Sequence, residues 1–325
     1  MNSFKYIQPK NIKEASSILK KGKNESLLYA GGTDLLGLLK TNQINPKELV
    51  NLKALQDLSY VKYTKGREVR IGALTRISDI AEHQAIQETF TALAQAASGV
   101  ASPQLRNMGT LGGNICQRPR CWYFREDFNC LRKGGDMCYA FEGENKYHCV
   151  TGGGPCYIVH PSDIAVALSV LDAKVVISSE KNVRTIPIKE LFVLPDTDYL
   201  NETILKPGEI ISEIIIPEPS AGSRSGFTKF KERDAWDFAV VSVAIIINKS
   251  NSNINSGKVV LGGVAPVPWH DENVNKKLVN MQANEDEINH MAAEILKKAE
   301  PLAKNSYKIP LVRNLTRRLL TELAV

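Results

Sequence analysis

The chain has 325 residues, 43% hydrophobic, 23% charged and 7% aromatic, with a formal net charge of +6. That length suggests about two domains of roughly 150 residues, each able to bury an ordinary core. No apolar run reaches the roughly 18–20 residues that span a bilayer, and no basic stripe with interleaved aromatics of the kind that binds nucleic acid is present, which sets both of those classes aside.

In chain order, Met1-Asn-Ser-Phe-Lys-Tyr-Ile7 has no apolar h-region and no small-residue cleavage site. A cytoplasmic location is therefore expected, with export still open to a subunit carried by a signal-bearing partner. Residues 11–21 read as an amphipathic helix, with Asn11 and Glu14 at capping-box spacing and Ala15, Ile18 and Leu19 on one face. Leu27–Ala30 reads as a short strand running into Gly31-Gly-Thr-Asp34, and Leu35, Leu36, Leu38 and Leu39 suggest a helix behind it. Leu49–Leu52 and Val69–Leu74 are strand candidates, and 78–98 reads as two helical pieces meeting near Gln84. Residues 116–156 lack periodicity and contain glycine pairs and triples, so they read as one long functional loop.

Regular structure resumes at Ser162-Asp163, which offers an N-cap to an apolar helix over 164–171. Strands are predicted at Lys174–Ile177, Arg184–Ile188 and Ile210–Ile216. Residues 217–226 (Pro-Glu-Pro-Ser-Ala-Gly-Ser-Arg-Ser-Gly) read as a linker. Beyond it come strands Phe227–Lys231, Val240–Asn248 and Lys258–Gly262, then helices near 285–299 and 310–323, the last opening at Pro310. The alternation in the first half favours an α/β or α+β architecture, and the elements beyond the linker a separate α+β domain; the chain is expected to be α+β, with a domain over 1–216 divided near residue 55 into two subdomains, the linker, and a second domain over 227–325.

Two features carry chemistry. Ala30-Gly-Gly-Thr-Asp34 and Gly109-Thr-Leu-Gly-Gly-Asn114 are turns whose paired glycines let backbone N–H groups approach phosphate oxygens, with a threonine hydroxyl beside them. Neither has the spacing of a P-loop or of a dinucleotide Rossmann turn. All six cysteines fall between Cys116 and Cys156. Their order, Cys121-x8-Cys130-x7-Cys138-x17-Cys156 with Cys116 and Cys149 outside that set, fits neither zinc pairing nor ferredoxin spacing. Spacing alone leaves open a metal or cluster site, scattered structural thiols, or disulfides. His148 and His160 are further donors that could equally be hydrogen-bonded side chains.

Leu28-Tyr-Ala-Gly-Gly-Thr-Asp-Leu35, Ser102-Pro-Gln-Leu-Arg-Asn-Met-Gly-Thr-Leu-Gly-Gly-Asn114 and His160-Pro-Ser-Asp163 resemble the FAD-binding medium subunits of the xanthine dehydrogenase/carbon monoxide dehydrogenase family of molybdenum hydroxylases. Leu205–Ile211, Phe230-Lys-Glu-Arg-Asp-Ala-Trp-Asp237 and Leu261-Gly-Gly-Val-Ala-Pro266 extend the resemblance over nearly the whole chain. It implies a two-part FAD-binding domain of the vanillyl-alcohol-oxidase type (PCMH-like), followed by a C-terminal α+β domain like that of the carbon monoxide dehydrogenase flavoprotein. The insertion 116–156, through Gln117-Arg-Pro-Arg-Cys-Trp-Tyr-Phe124, Cys130-Leu-Arg-Lys133, Gly135-Asp-Met-Cys138 and Pro155-Cys-Tyr-Ile158, resembles members with an extra [4Fe–4S] cluster, such as bacterial aldehyde oxidoreductases and 4-hydroxybenzoyl-CoA reductase. Asn145-Lys-Tyr-His148 and Tyr307-Lys-Ile-Pro310 look closer to the aldehyde oxidoreductases.

Position by position, the resemblance implies cluster ligands at Cys121, Cys130, Cys138 and Cys156. For FAD it implies a first phosphate loop of Leu28, Tyr29, Ala30, Gly31, Gly32, Thr33, Asp34 and Leu35. Val100 and Ala101 would line the isoalloxazine pocket, and Thr110, Gly112, Gly113 and Asn114 would form a second clasp. Asp163 would bond a cofactor hydroxyl unless it serves only as a helix N-cap, Ile211 would pack on the cofactor, and Lys231 would bond the ring edge. The chain would then be the FAD and [4Fe–4S] subunit of a three-part oxidoreductase, taking electrons from a large molybdopterin-binding subunit and a small [2Fe–2S] subunit and passing them to an external acceptor. The alternatives are a zinc-loop scaffold without catalysis and a freestanding FAD oxidase. Disulfide exchange would want a C-x-x-C pair, which is missing.

Overall fold

The computed structural model describes residues 1–324. Its first lobe is built of short strand–helix units. β1 (Lys5–Ile7), α1 (Ile12–Gly22), β2 (Ser26–Tyr29), α2 (Leu35–Lys40) and β3 (Glu48–Asn51) follow in order, and the strands pair in parallel as β1-β3-β2. The Asn11 side chain accepts from the Glu14 amide at 2.9 Å, and Glu14 reaches back to the Lys10 amide at 2.7 Å, so α1 starts where the capping pattern predicts. Ala15 and Leu19 of α1 pack with Val50 and Leu52 in a small core. Ser16, also buried, receives the Glu180 amide and donates to the Gly208 carbonyl, which ties this lobe to the next.

The second lobe is an antiparallel sheet of order β4-β5-β8-β6-β7, made by β4 (Val61–Thr64), β5 (Glu68–Gly72), β6 (Lys174–Ser178), β7 (Val183–Pro187) and β8 (Ile210–Pro217). Its edge strand β7 alternates exposed and half-buried residues and ends on Pro187, both of which discourage a further strand from adding. Between β5 and β6 lie α3 (Ile77–Glu82), α4 (Gln84–Thr89), α5 (Thr91–Ser98), α6 (Pro103–Arg106), α7 (Leu111–Ile115), α8 (Trp122–Arg125) and α9 (Asp163–Val170). The stretch read as two helical pieces is three, because Phe90 as well as His83 leaves the helical conformation. Phe90 is fully buried, and the break turns its ring into the core.

The third sheet is antiparallel, β9 (Ser223–Phe230), β10 (Val241–Ser250) and β11 (Asn253–Gly262), with β12 (Trp269–His270) and β13 (Met281–Gln282) added to β11. The predicted linker is shorter than its composition suggests: Ser223–Gly226 already pair with Ile245–Asn248, leaving 218–222 between β8 and β9. α10 (Glu272–Leu278), which the sequence reading missed, precedes α11 (Glu285–Glu294) and α12 (Lys308–Ala324). α5 and α9 lie between the second and third sheets. Their residues share one core with Ile71 and Ile214 on one side and with Phe227, Ala244 and Val260 on the other. Among the described residues no helix is long and apolar enough to cross a membrane.

Candidate functional site

The two glycine turns, 78 residues apart in sequence, pack directly on one another. A Cβ on Gly31 would stand 2.0 Å from the Met108 carbonyl oxygen, and Gly32 has φ +72°, so the first turn needs both glycines. In the second turn Thr110 caps α7, its Oγ1 accepting from the Gly113 amide at 3.3 Å. The Gly112 amide donates to the Ala73 carbonyl at 2.8 Å. The amides of Gly31, Gly32 and Thr33, by contrast, have no hydrogen-bond partner among the described residues, so they are free to face an anion.

Two cavities meet at these turns. One, about 410 Å³, is walled by Ile77, Val100, Ala101, Leu105, Trp236 and Phe238, with Asp163 and Lys229 at its polar side. The other, about 330 Å³, is largely aliphatic, with Leu28, Leu35, Leu38, Ile44, Leu52 and Ile211 among its walls. Thr33, Asp34, Gly113 and Gln117 line both. The shape is two apolar chambers joined at a waist of free amides, which suits a molecule with two flat ring systems linked by a diphosphate. In the first chamber Lys229 Nζ and Asp163 Oδ2 form a buried ion pair at 2.7 Å. Burial raises the Asp163 pKa, and the Lys229 ammonium opposes that rise. The α9 cap is Ser162, whose Oγ accepts from the Ala165 amide, so the Asp163 carboxylate is not needed there.

Of the residues singled out from sequence, Leu28, Ala30, Gly31, Gly32, Thr33, Asp34, Leu35, Thr110, Gly112, Gly113 and Ile211 line the aliphatic chamber, and Val100, Ala101, Asn114 and Asp163 the other. Four expectations need correction. Tyr29 lines neither chamber; its ring supports the first turn, where a Cβ on Gly32 would meet it at 2.7 Å. The Gly112 amide is already bound to Ala73, so it is no clasp donor, and a Cβ there would press on Ala73. The Asp34 carboxylate is taken by the insertion: it accepts from the Arg118 amide at 2.9 Å and pairs with Arg125 at 2.8 Å and Arg120 at 3.0 Å. Lys231 is half-buried, past the end of β9, with Nζ on the Asp234 carbonyl; its charge still reaches Asp163, but Lys229, two residues earlier on the strand, is the lysine that lines the chamber. Trp236 and Phe238 were missed as single residues, although the resembling segment Phe230–Asp237 contains the first and stops just before the second.

The insertion brings its cysteines together. Cys121, Cys130, Cys138 and Cys156 line one small cavity, with Phe124, Arg132, Tyr139, His148 and Ile158 between them. Cys116 instead lines the aliphatic chamber, and Cys149 is buried beside Gly153. All six are free thiols, so the disulfide reading fails. A hydrogen bond from Cys156 holds the Cys138 pKa down to about 7, while the same bond pushes that of Cys156 up. Burial lifts the Cys121 thiol to about 11. His148 stays neutral near pH 7, burial lowering its pKa to about 4, and its Nε2 stands 3.2 Å from Cys121 Sγ. His160 lies apart, its Nε2 on the Ile115 carbonyl. No three His, Cys, Asp or Glu side chains among the described residues close on one point as a lone metal ion requires.

The C-terminal domain clamps the end of the insertion. Asn305 Nδ2 donates to the His148 and Cys149 carbonyls, and Lys308 Nζ donates to those of Tyr147 and Gly263, both at 2.7 Å. Lys308 is fully buried, and that burial lowers its pKa from 10.5 to about 7. Between these values the unfolded chain holds a proton that the folded chain has released, so stability rises with pH, by at most about 1.4 kcal/mol per unit. Thermal unfolding should therefore show a gain from pH 7 to 9 that Lys308→Met lacks. Equal slopes in the two proteins would contradict this account of Lys308.

Residues 2–219 match the FAD-binding domain of molybdopterin dehydrogenases, and residues 225–323 match the C-terminal domain of the carbon monoxide dehydrogenase flavoprotein. The aldehyde oxidoreductase FAD-binding subunit of Escherichia coli is 36% identical over 298 residues, which is 90% of each chain. The chain belongs to the FAD-binding medium subunits of the molybdenum hydroxylases. Another member of this family, the glyceraldehyde dehydrogenase medium chain of Sulfolobus acidocaldarius, is 26% identical over 99% of this chain and 98% of its own. Among solved structures, carbon monoxide dehydrogenase from Hydrogenophaga pseudoflava superposes with a TM-score of 0.78 at 24% identity, over 99% of this chain and 97% of that one, and thus has the same fold. Medium subunits of this kind belong to multi-subunit oxidoreductases. The two chambers and their waist of unpartnered amides fit FAD, with room for a ring system on each side of the diphosphate.

Proposed function

We propose that this chain is the electron-transfer subunit of a three-part molybdenum hydroxylase and holds a [4Fe–4S] cluster on Cys121, Cys130, Cys138 and Cys156 as well as FAD. The carrying observation is the convergence of those four thiols on one cavity, while Cys116 and Cys149 lie elsewhere. FAD supplies chemistry that takes an electron pair and returns single electrons, and a cluster handles electrons singly. The work of the chain is placement. Under this reading the amides of Gly31, Gly32 and Thr33 and the Thr110 hydroxyl face the diphosphate. Val100, Ala101, Trp236 and Phe238 exclude water around the flavin ring, and Lys229, neutralised by Asp163, presents a fixed donor there. Asp34 joins the two sites, since the turn that precedes it belongs to the FAD cavity and the arginines that grip it belong to the insertion.

The partners in this reading are a large molybdopterin subunit and a small [2Fe–2S] subunit, with electrons leaving to an external acceptor. The setting in this reading is the reducing cytoplasm, where cysteines stay free of disulfides. The likeness to an aldehyde oxidoreductase subunit favours an aldehyde as the substrate oxidised on the large subunit. Isolated with its partners and mixed anaerobically with an aldehyde, the complex should lose its flavin absorbance, and an acceptor should restore it. A chain that purifies alone, or a flavin that no aldehyde, purine or aromatic thioester bleaches, would overturn the subunit reading.

A further inference from the structure

Arg132 carries a buried charge into the cysteine site. It lies in a single turn, Leu131–Lys133, between Cys130 and Cys138, and only 3% of its surface is exposed. Its Nε points at Cys156 Sγ at 3.5 Å and its Nη1 donates to Glu202 Oε1 at 2.7 Å, whereas Nη2 has no partner among the described residues. Glu202 comes from outside the insertion, in the segment between β7 and β8, and its carboxylate is nearly buried. It also receives Arg118, through Nε at 3.1 Å and Nη2 at 3.0 Å, and the Arg118 amide is the one that grips Asp34.

Burying a cation on the far side of a thiol is costly unless it is paired, and one carboxylate here answers two guanidinium groups. Arg132 brings the positive charge that meets Cys156, and besides Glu202 the Asp198 carboxylate also feels it. Two unit charges about 4 Å apart inside a protein interact strongly enough to change an equilibrium by more than tenfold. Hydrogen bonds to the ligating sulfurs and net local charge are the protein's main means of setting an iron–sulfur potential.

We infer that Arg132 and Glu202 act as an opposed pair that sets how readily a cluster on these cysteines accepts an electron. Arg132 favours the reduced form through its charge and its hydrogen bond to Cys156, and Glu202 limits that effect as the counter-charge. This rests on the cluster reading given above. A pair that only tethered the insertion would give the same outcome whichever partner is changed, namely looser packing and lost iron. A tuning pair gives opposite shifts.

The test is an anaerobic redox titration of the full-length protein followed by electron paramagnetic resonance, with iron content measured on each sample. Glu202→Gln should raise the midpoint by about tenfold in the reduced-to-oxidised ratio, or ~59 mV for one electron. Arg132→Lys, which keeps the charge but loses the Nε hydrogen bond, should lower it by less. The double variant Arg132→Gln/Glu202→Gln, which removes one charge of each sign, should fall back toward the unaltered protein. Midpoints that stay fixed, or that move in one direction in both single variants with iron retained, would overturn the inference. So would iron loss from both single variants, which would mark a tether. An unaltered protein without iron would overturn the cluster reading itself, and this inference with it.

Discussion

Replacing Cys121, Cys130, Cys138 or Cys156 by serine, one at a time, should strip iron from the protein, while Cys116→Ser and Cys149→Ser should leave it loaded. The first four share a cavity walled by Phe124, Tyr139 and Ile158, where a hydroxyl is a poor substitute for a soft thiolate ligand. Cys149 is as deeply buried as any of them, with 1% of its surface exposed, so burial alone does not separate the groups; position does. Cys149→Ser should cost about 1–2 kcal/mol of stability through an unsatisfied buried hydroxyl and still retain iron. Cys116→Ser tests the opposite side, because Cys116 faces the aliphatic chamber and its change should be felt, if at all, in flavin content. Equal iron in all six variants would refute the assignment.

Gly31→Ala should abolish most FAD retention. The added methyl would sit 2.0 Å from the Met108 carbonyl oxygen and 2.8 Å from its carbon, both backbone atoms of the partner turn. Neither can step aside without parting the two turns, so the strain, about 1–3 kcal/mol, falls on the waist where the free amides converge. Gly37→Ala, six residues on within α2, is the matched control: a Cβ there meets nothing within 4 Å. It should keep its flavin and gain up to about 1 kcal/mol of helix stability. Bound FAD after gel filtration, measured beside a circular dichroism spectrum that confirms folding, decides between them. Full flavin in Gly31→Ala would mean that the turn contact does not shape the cofactor site.

Much of this arrangement is legible in local chemistry. Asn11 and Glu14 announce α1 because capping is a contact between residues three apart, and Gly31-Gly32 announces a tight turn because few other residues reach its backbone angles. What is not legible is whatever depends on distant neighbours. Asp34 reads as part of a phosphate loop, yet its carboxylate is committed to arginines 84–91 residues away. Lys231 and Lys229 have the same strand parity, and only the end of β9 at Phe230 separates the one turned to the Asp234 carbonyl from the one paired with Asp163. The cysteines are the extreme case. Loop spacing carries no period, so their convergence is a property of the packed insertion. The family resemblance, rather than spacing, singled out the four that share a cavity.

The central claim is that one polypeptide keeps a flavin and an iron–sulfur cluster in adjoining sites. It is tested most directly by counting both in the protein purified without oxygen, from its visible spectrum with iron, sulfide and FAD assays. The account predicts about one FAD with about four iron and four sulfide per chain. A flavin-loaded protein without iron after anaerobic reconstitution, or one that binds a single zinc and no flavin, would contradict it.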